Sequence, residues 1–247
     1  MPLYIMKIKL KKISSLLTLT LAFCGLIQQA NAEKFDWIVF ELKVKPKNAE
    51  GLVELLDSVF SDPNKPFKIT LTESIFSDSD STHRLVISSS EVESISEIMS
   101  DVFKNEREKF MISLHELAEV KSKFTGTRIM TTNIPEQGSD TKNSGNFNAM
   151  WEMQIKPTDA PKFLESYKNV VSATKDLRGN HVLGMGIFQF GRGKATHYVI
   201  HTFNSYSDLK KGLEAYGNHE AVAAHAKNIK DIANPMGNNV VKVIKQW

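Results

Sequence analysis

The chain repeats itself, and the repeat constrains its fold more than any other feature. Phe40 to Ala49 (FELKVKPKNA) aligns without a gap on Trp151 to Ala160 (WEMQIKPTDA). Both read aromatic, Glu, apolar, polar, β-branched, Lys, Pro, x, Asn or Asp, Ala. The register continues through Glu54 with Glu165 and Val59 with Val170. It returns at Thr82-His83 with Thr196-His197 and at Gly126 with Gly237. Self-similarity at a fixed spacing marks a repeated supersecondary unit, so any fold for this chain must be built twice.

Each copy reads the same way. An alternating strand comes first, over 37–45 and 149–156, with Phe40, Leu42 and Val44 on one face and Trp151, Met153 and Ile155 on the matching one. Pro46 and Pro157 end these strands, because proline cannot donate to a ladder. Asn48 and Asp159 suit helix N-caps. The helix that follows puts Leu52, Leu55, Leu56, Val59 and Phe60 on one stripe, and Phe163, Leu164, Tyr167 and Val171 on its counterpart. Two hairpin strands come next, over 68–76 and 82–88 in the first copy and 182–190 and 195–203 in the second. Their turns are Ser77-Asp78-Ser79-Asp80 and Gly191-Arg192-Gly193-Lys194, built of residues that such turns favour. A second helical region spans 91–121 and 207–233, with breaks expected near Asn105 and Gly217. A last strand covers 127–132 and 239–246. The order is β-α-β-β-α-β, twice, with 33–134 and 147–247 as the two units and the turn-rich stretch 135–146 (PEQGSDTKNSGN) as the linker.

Residues 1–32 read as a secretory signal peptide. Lys7, Lys9, Lys11 and Lys12 form a basic n-region, an apolar stretch runs from Ile13 to Ile27, and Ala30-Asn31-Ala32 is a small-x-small cleavage site. The mature protein is then expected to begin at Glu33 and to reside in the periplasm or be secreted. No later apolar run approaches the roughly 20 residues a span needs, so no membrane association is expected after cleavage. Removing the signal takes away four lysines and no acid, leaving 27 basic against 28 acidic side chains. That balance gives no basic stripe for nucleic acid. Cys24, the single cysteine, leaves with the signal, which excludes a disulfide, a thiol nucleophile and a thiolate metal site.

A βαββαβ unit is the ferredoxin-like pattern. With the interrupted second helix carrying Tyr216-Gly-Asn-His-Glu-Ala-Val-Ala-Ala-His225, the chain resembles the dimeric α+β barrel superfamily. That group includes antibiotic-biosynthesis-type monooxygenases and stress-responsive A/B barrel proteins. The resemblance implies an α+β fold in which two tandem ferredoxin-like units close one intrachain, pseudo-dimeric barrel. It also implies that the first and third strands of each unit lie side by side, and it allows further self-association into a homo-oligomer. Because the superfamily hosts unrelated activities, fold alone does not transfer function.

With those strands adjacent, Glu41 is expected to approach His83, and Glu152 to approach His197. A carboxylate beside an imidazole is an acid/base device or a retained structural pair. The second unit is the richer in candidates, which places any site within 147–247: His197, His201, His225 and Glu152. His197 and His201 lie four strand residues apart, roughly 13 Å, too far to share one ion at about 2 Å bonds. His219 and His225 diverge by roughly 120° around a helix. No metal site is expected. His115 falls near the position of His225 in the first unit. Trp37 and Trp151 read as core, and Arg192 and Lys194 as solvated turn charges. Three functions remain open on these residues: a protein binding a small apolar or aromatic ligand in the inter-repeat barrel, a cofactor-free or haem-associated monooxygenase, and a non-catalytic structural module.

Overall fold

In the computed structural model, residues 35–62, 67–90, 104–132, 145–178 and 181–247 are described. The expected signal segment 1–32, the first part of the expected 91–121 helical region and all of the expected linker except Gly145 and Asn146 lie outside them.

Where hydrophobic alternation meets a proline or a glycine-rich turn, the chain forms the expected elements. The first unit comprises β1 (Phe35–Val44), α1 (Ala49–Phe60), β2 (Lys68–Ser77), β3 (His83–Ser89), α2 (Lys104–Leu117) and β4 (Ala118–Thr131). The second comprises β5 (Phe147–Ile155), α3 (Ala160–Ala173), the single turn α4 (Lys175–Arg178), β6 (Val182–Phe190), β7 (His197–Phe203), α5 (Tyr206–Gly217), α6 (Glu220–Ile229) and β8 (Ala233–Gln246). The eight strands form one closed antiparallel barrel in the order β1-β3-β2-β8-β5-β7-β6-β4. Each unit thus supplies half the staves, with β1 beside β3 and β5 beside β7, and the seams β2–β8 and β4–β6 close the barrel. This is the two-unit α+β barrel that the family resemblance implied.

The last strands differ from expectation. β4 and β8 each run 14 residues and begin at Ala118 and Ala233, well before 127 and 239. Each must pair with its own unit's first strand and, across a seam, with the other unit. That double duty holds polar stretches such as Lys121-Ser122-Lys123 in a ladder which their side chains alone would not request. The helix break lies at Asn218, where the His219 imidazole caps α6 by accepting from the Ala221 amide.

The two faces of the barrel wall carry different cores. Outside the first half, Phe40, Leu42 and Val44 pack with Leu52 and Leu56 of α1 and Leu114 of α2. Outside the second, Met153, Ile155 and Val199 meet Phe163 and Tyr167 of α3. The halves also repeat one hydrogen-bond unit. The Thr82 hydroxyl accepts from the Val44 amide at 2.9 Å and lies 2.9 Å from His83 Nδ1, and Thr196 does the same for Ile155 at 2.9 Å and His197 at 2.8 Å. The repeated Thr-His pair therefore secures the end of each unit's first strand.

Candidate functional site

Strand alternation sends Trp37, Val39 and Glu41 of β1 into the barrel, with Arg84 of β3 and Glu152 and Tyr198 of β5 and β7. The middle of the barrel is filled. Trp37 meets Phe124, Phe188 and Tyr198 edge-on, with ring centres 5.8, 5.8 and 5.5 Å apart, and its indole N–H donates to the Tyr198 hydroxyl at 2.8 Å. Gly126 and Gly186 are required here, because a Cβ at either would strike Trp37 or Tyr198 and the neighbouring strand's backbone. The expectation of an apolar ligand in the barrel's centre thus meets an interior already occupied by four aromatic side chains.

Above this plug, one mouth of the barrel carries an ionic cluster. Arg84, 4% exposed, donates to Glu41 at 2.7 Å and to Asn239 at 2.6 Å. Arg192 forks onto Glu152 at 2.8 and 2.5 Å and reaches Glu41 at 3.1 Å. Its guanidinium also stacks on Phe124, 4.4 Å from the ring centre. Burial pushes the Glu41 carboxyl up, but Arg84, Ser122 and Arg192 together outweigh that and hold it below its ordinary range. Arg192 was expected to be a solvated turn charge. The positive φ of Gly191 and Gly193, +83° and +62°, instead bends the β6–β7 turn so that it tucks inward. One signal for this was present in the sequence, a long cation between two glycines.

The expected Glu–His pairs do not form. Glu41 lies opposite Arg84 and Glu152 opposite Tyr198, whereas His83 and His197 lie opposite Leu42 and Met153. A one-residue offset along a strand reverses the face, so the carboxylates point into the barrel and the imidazoles toward the helices.

The three candidate histidines share the outer side of the second half without converging on one point. His197 is buried, and burial pushes its imidazole down to about 4. His225 of α6 bonds Ser166 of α3 at 2.8 Å, and burial lowers it as well. The fully buried Phe163 ring lies between them, 6.3 Å from His197 and 5.4 Å from His225. His201 sits against Trp151 at 5.1 Å and Tyr216 of α5 at 5.2 Å. Burial, helped by the charge of His181, pushes it down to about 4, and its Nδ1 has no hydrogen-bond partner. His115 lies exposed at the end of α2. Among the described residues no group of three His, Cys, Asp or Glu is placed to hold a metal ion.

Sequence reasoning also missed two buried polar residues of the second half. Tyr167 and Arg178 are 3% and 6% exposed, yet the Tyr167 hydroxyl and two nitrogens of Arg178, Nε and Nη1, have no hydrogen-bond partner. Burial raises the Tyr167 hydroxyl and Tyr216 raises it further, while Arg178 and Arg128 pull it down. Burial also raises Tyr216, with Arg178 and Thr174 opposing. Tyr167 lies on α3, Tyr216 on α5 and Arg178 on α4, and the charge of Arg178 bears on both hydroxyls. At the matching positions of the first half, Leu56 and Ile87 stand where the second half has Tyr167 and His201. No periodicity distinguishes Arg178 from the surface cations around it, because only the packing of α4 buries it.

A haem demands a slot for its flat face as well as donors. A neutral imidazole at His201 and a cation at Arg178 suit an iron and a propionate. The rings on either side of His201, and Phe163 between His197 and His225, pack this layer closely, so a haem would enter only if the helices parted from the sheet. In this arrangement the residues do not fit haem.

No family model and no characterised relative matches the sequence. Solved structures do match in shape, and the chain has the dimeric α+β barrel fold. It is similar to an anthrone oxidase-like protein, with a TM-score of 0.60 at 13% identity over 88% of this chain and 94% of that one. It is similar to a proposed monooxygenase from Lactobacillus acidophilus, with a TM-score of 0.58 at 9% identity over 86% and 95%. A haem-binding protein from Thermus thermophilus follows, with a TM-score of 0.53 at 8% identity over 85% and 90%. Likeness at such identities is likeness of fold.

Proposed function

We propose that this is an exported protein whose second half binds a small aromatic molecule bearing an acidic or phenolic group, in the layer between the β5–β7 face and helices α3 and α5. The observation that carries the reading is the set of buried polar atoms left unpaired there: His201 Nδ1, the Tyr167 hydroxyl, and Nε and Nη1 of Arg178. Leaving a buried polar group unsatisfied costs roughly 1–3 kcal/mol. A ligand that accepts from Arg178 and Tyr167 and donates to neutral His201 removes that cost. The surrounding Trp151, Phe163 and Phe203 supply aromatic walls. The layer is closely packed, so entry requires α5 to part from the sheet. Oxidation of the bound aromatic by oxygen is the reaction to assay, since two of the structural neighbours are named for such chemistry.

The test is a titration of the protein from Glu33 onward with an anthrone and, separately, with haem, followed by absorption and tryptophan quenching, with oxygen uptake recorded. Saturable anthrone binding is expected, weakened at least tenfold in Arg178→Gln and in Tyr167→Phe, which preserves the ring. Unchanged affinity in both variants, or no binding, means that water satisfies these groups, and overturns the reading. A Soret band that saturates and disappears in His201→Ala or His225→Ala would replace the reading with a haem protein whose helices open on binding.

A further inference from the structure

A second site lies on the opposite face of β5, at the barrel mouth. A cavity of about 270 Å³ opens there, lined by Ser77, Asp78 and Ser79 of the β2–β3 turn, by Arg84, Glu152 and Arg192, and by β8 from Met236 to Asn239. We infer that this cavity binds an uncharged, hydroxyl-rich small molecule such as a single sugar unit.

The charge arrangement selects that class. Arg84 and Arg192 are already matched by Glu41 and Glu152 at 2.5–3.1 Å. An anion would have to break a guanidinium away from a buried carboxylate, which is strongly unfavourable. A cation would meet two guanidinium groups. A hydroxyl breaks nothing, because it accepts from a guanidinium and donates to a carboxylate at once. The cavity offers both kinds of partner. Arg84 and Arg192 line it with guanidinium groups. Glu152 and Asp78 offer acceptor oxygens, and the Ser77 and Ser79 hydroxyls serve either way. The wall is held in shape independently of any ligand: Asp78 accepts from the Asn238 amide at 3.0 Å, and Asn239 joins Arg84 to Glu152 at 2.6 and 3.4 Å. Met236, 41% exposed, adds an apolar edge of the kind a sugar's C–H face packs against.

The repeat shows how the two hairpin turns differ at this mouth. Counting from Thr82 and Thr196, Asp78 corresponds to Arg192 and Arg84 to Tyr198. One turn therefore plugs the mouth with a cation while its counterpart leaves a short acid at the rim, and the space between them is the cavity.

The experiment is calorimetric titration of the protein from Glu33 onward with D-glucose, glycerol, sodium phosphate and ammonium chloride. Variants are Ser79→Trp, which fills the cavity from an exposed turn, and Asp78→Ala, with His201→Ala as the control for the other site and circular dichroism to check folding. Saturable heat is expected with glucose or glycerol, lost at least tenfold in Asp78→Ala and in Ser79→Trp, and kept in His201→Ala. Saturation by phosphate or ammonium instead, binding that survives both mouth variants, or no saturation by either polyol overturns the inference. Loss of anthrone binding with sugar binding intact would sink only the first site.

Discussion

Replacing Arg192 with alanine removes a side chain that bonds the interior carboxylates of both units. The variant loses two bonds to Glu152, at 2.8 and 2.5 Å, one to Glu41 at 3.1 Å, and the stacking on Phe124. Glu41 keeps Arg84 and Ser122 at 2.7 Å each, so little of the cost falls on it. Glu152, 5% exposed, keeps only Asn239 at 3.4 Å. The energetics therefore reduce to one stranded buried carboxylate. Breaking a buried pair by removing one partner costs about 3–5 kcal/mol, and for a domain of this size each kcal/mol moves Tm by roughly 2–4 °C, a fall of roughly 6–20 °C. Urea unfolding at pH 7, followed by tryptophan fluorescence and circular dichroism, measures it. Glu152→Gln in the Arg192→Ala background is expected to recover at least about half the loss, since an amide leaves no unpaired charge. A loss under about 1 kcal/mol, or a double variant no more stable than Arg192→Ala, would refute the assignment of Arg192 as an internal clamp.

Acid should weaken the fold from two directions. His197 and His201 are pushed down to about 4, so between pH 6.5 and 4 the unfolded chain binds protons that the folded chain refuses. Stability then falls with pH by up to about 3 kcal/mol per histidine, and His201→Phe should flatten that slope in urea melts taken at several pH values. The depressed Glu41 contributes stability above the ordinary carboxylate range that is lost as pH drops through its folded value, so acid sensitivity should persist below pH 4 in the histidine variant. Gly126→Ala should prevent the barrel from closing natively, and Trp37→Phe should not rescue it, because the added methyl also strikes the Ile187 carbonyl; a rescued melt would show that the indole was the only obstacle. Thr82→Val and Thr196→Val should cost similar amounts, about 1–3 kcal/mol each, because each leaves an equivalent strand-end amide unpaired; losses differing by more than about 1 kcal/mol would show that the two units do not use the motif alike.

What the residues determine by themselves is local and repetitive. Alternation set the faces of β1 and β5, Pro46 and Pro157 ended them, the glycine- and aspartate-rich turns placed both hairpins, and the repeat required every element twice. Those features act within a few residues, so they are legible along a line. The lengths of β4 and β8 were not legible, because seam pairing with the other unit extends them through polar sequence. The site was less legible still. A shift of one residue across a strand pair decides whether Glu152 meets His197 or an arginine from a distant turn, and alternation carries no information on that register. Arg178 and Arg192 look like surface cations in sequence, and only the packing of a short helix buries the first, while the inward bend of a glycine-flanked turn half-buries the second. Burial is a property of the closed barrel, so the chemistry that depends on it was decided when the two halves came together.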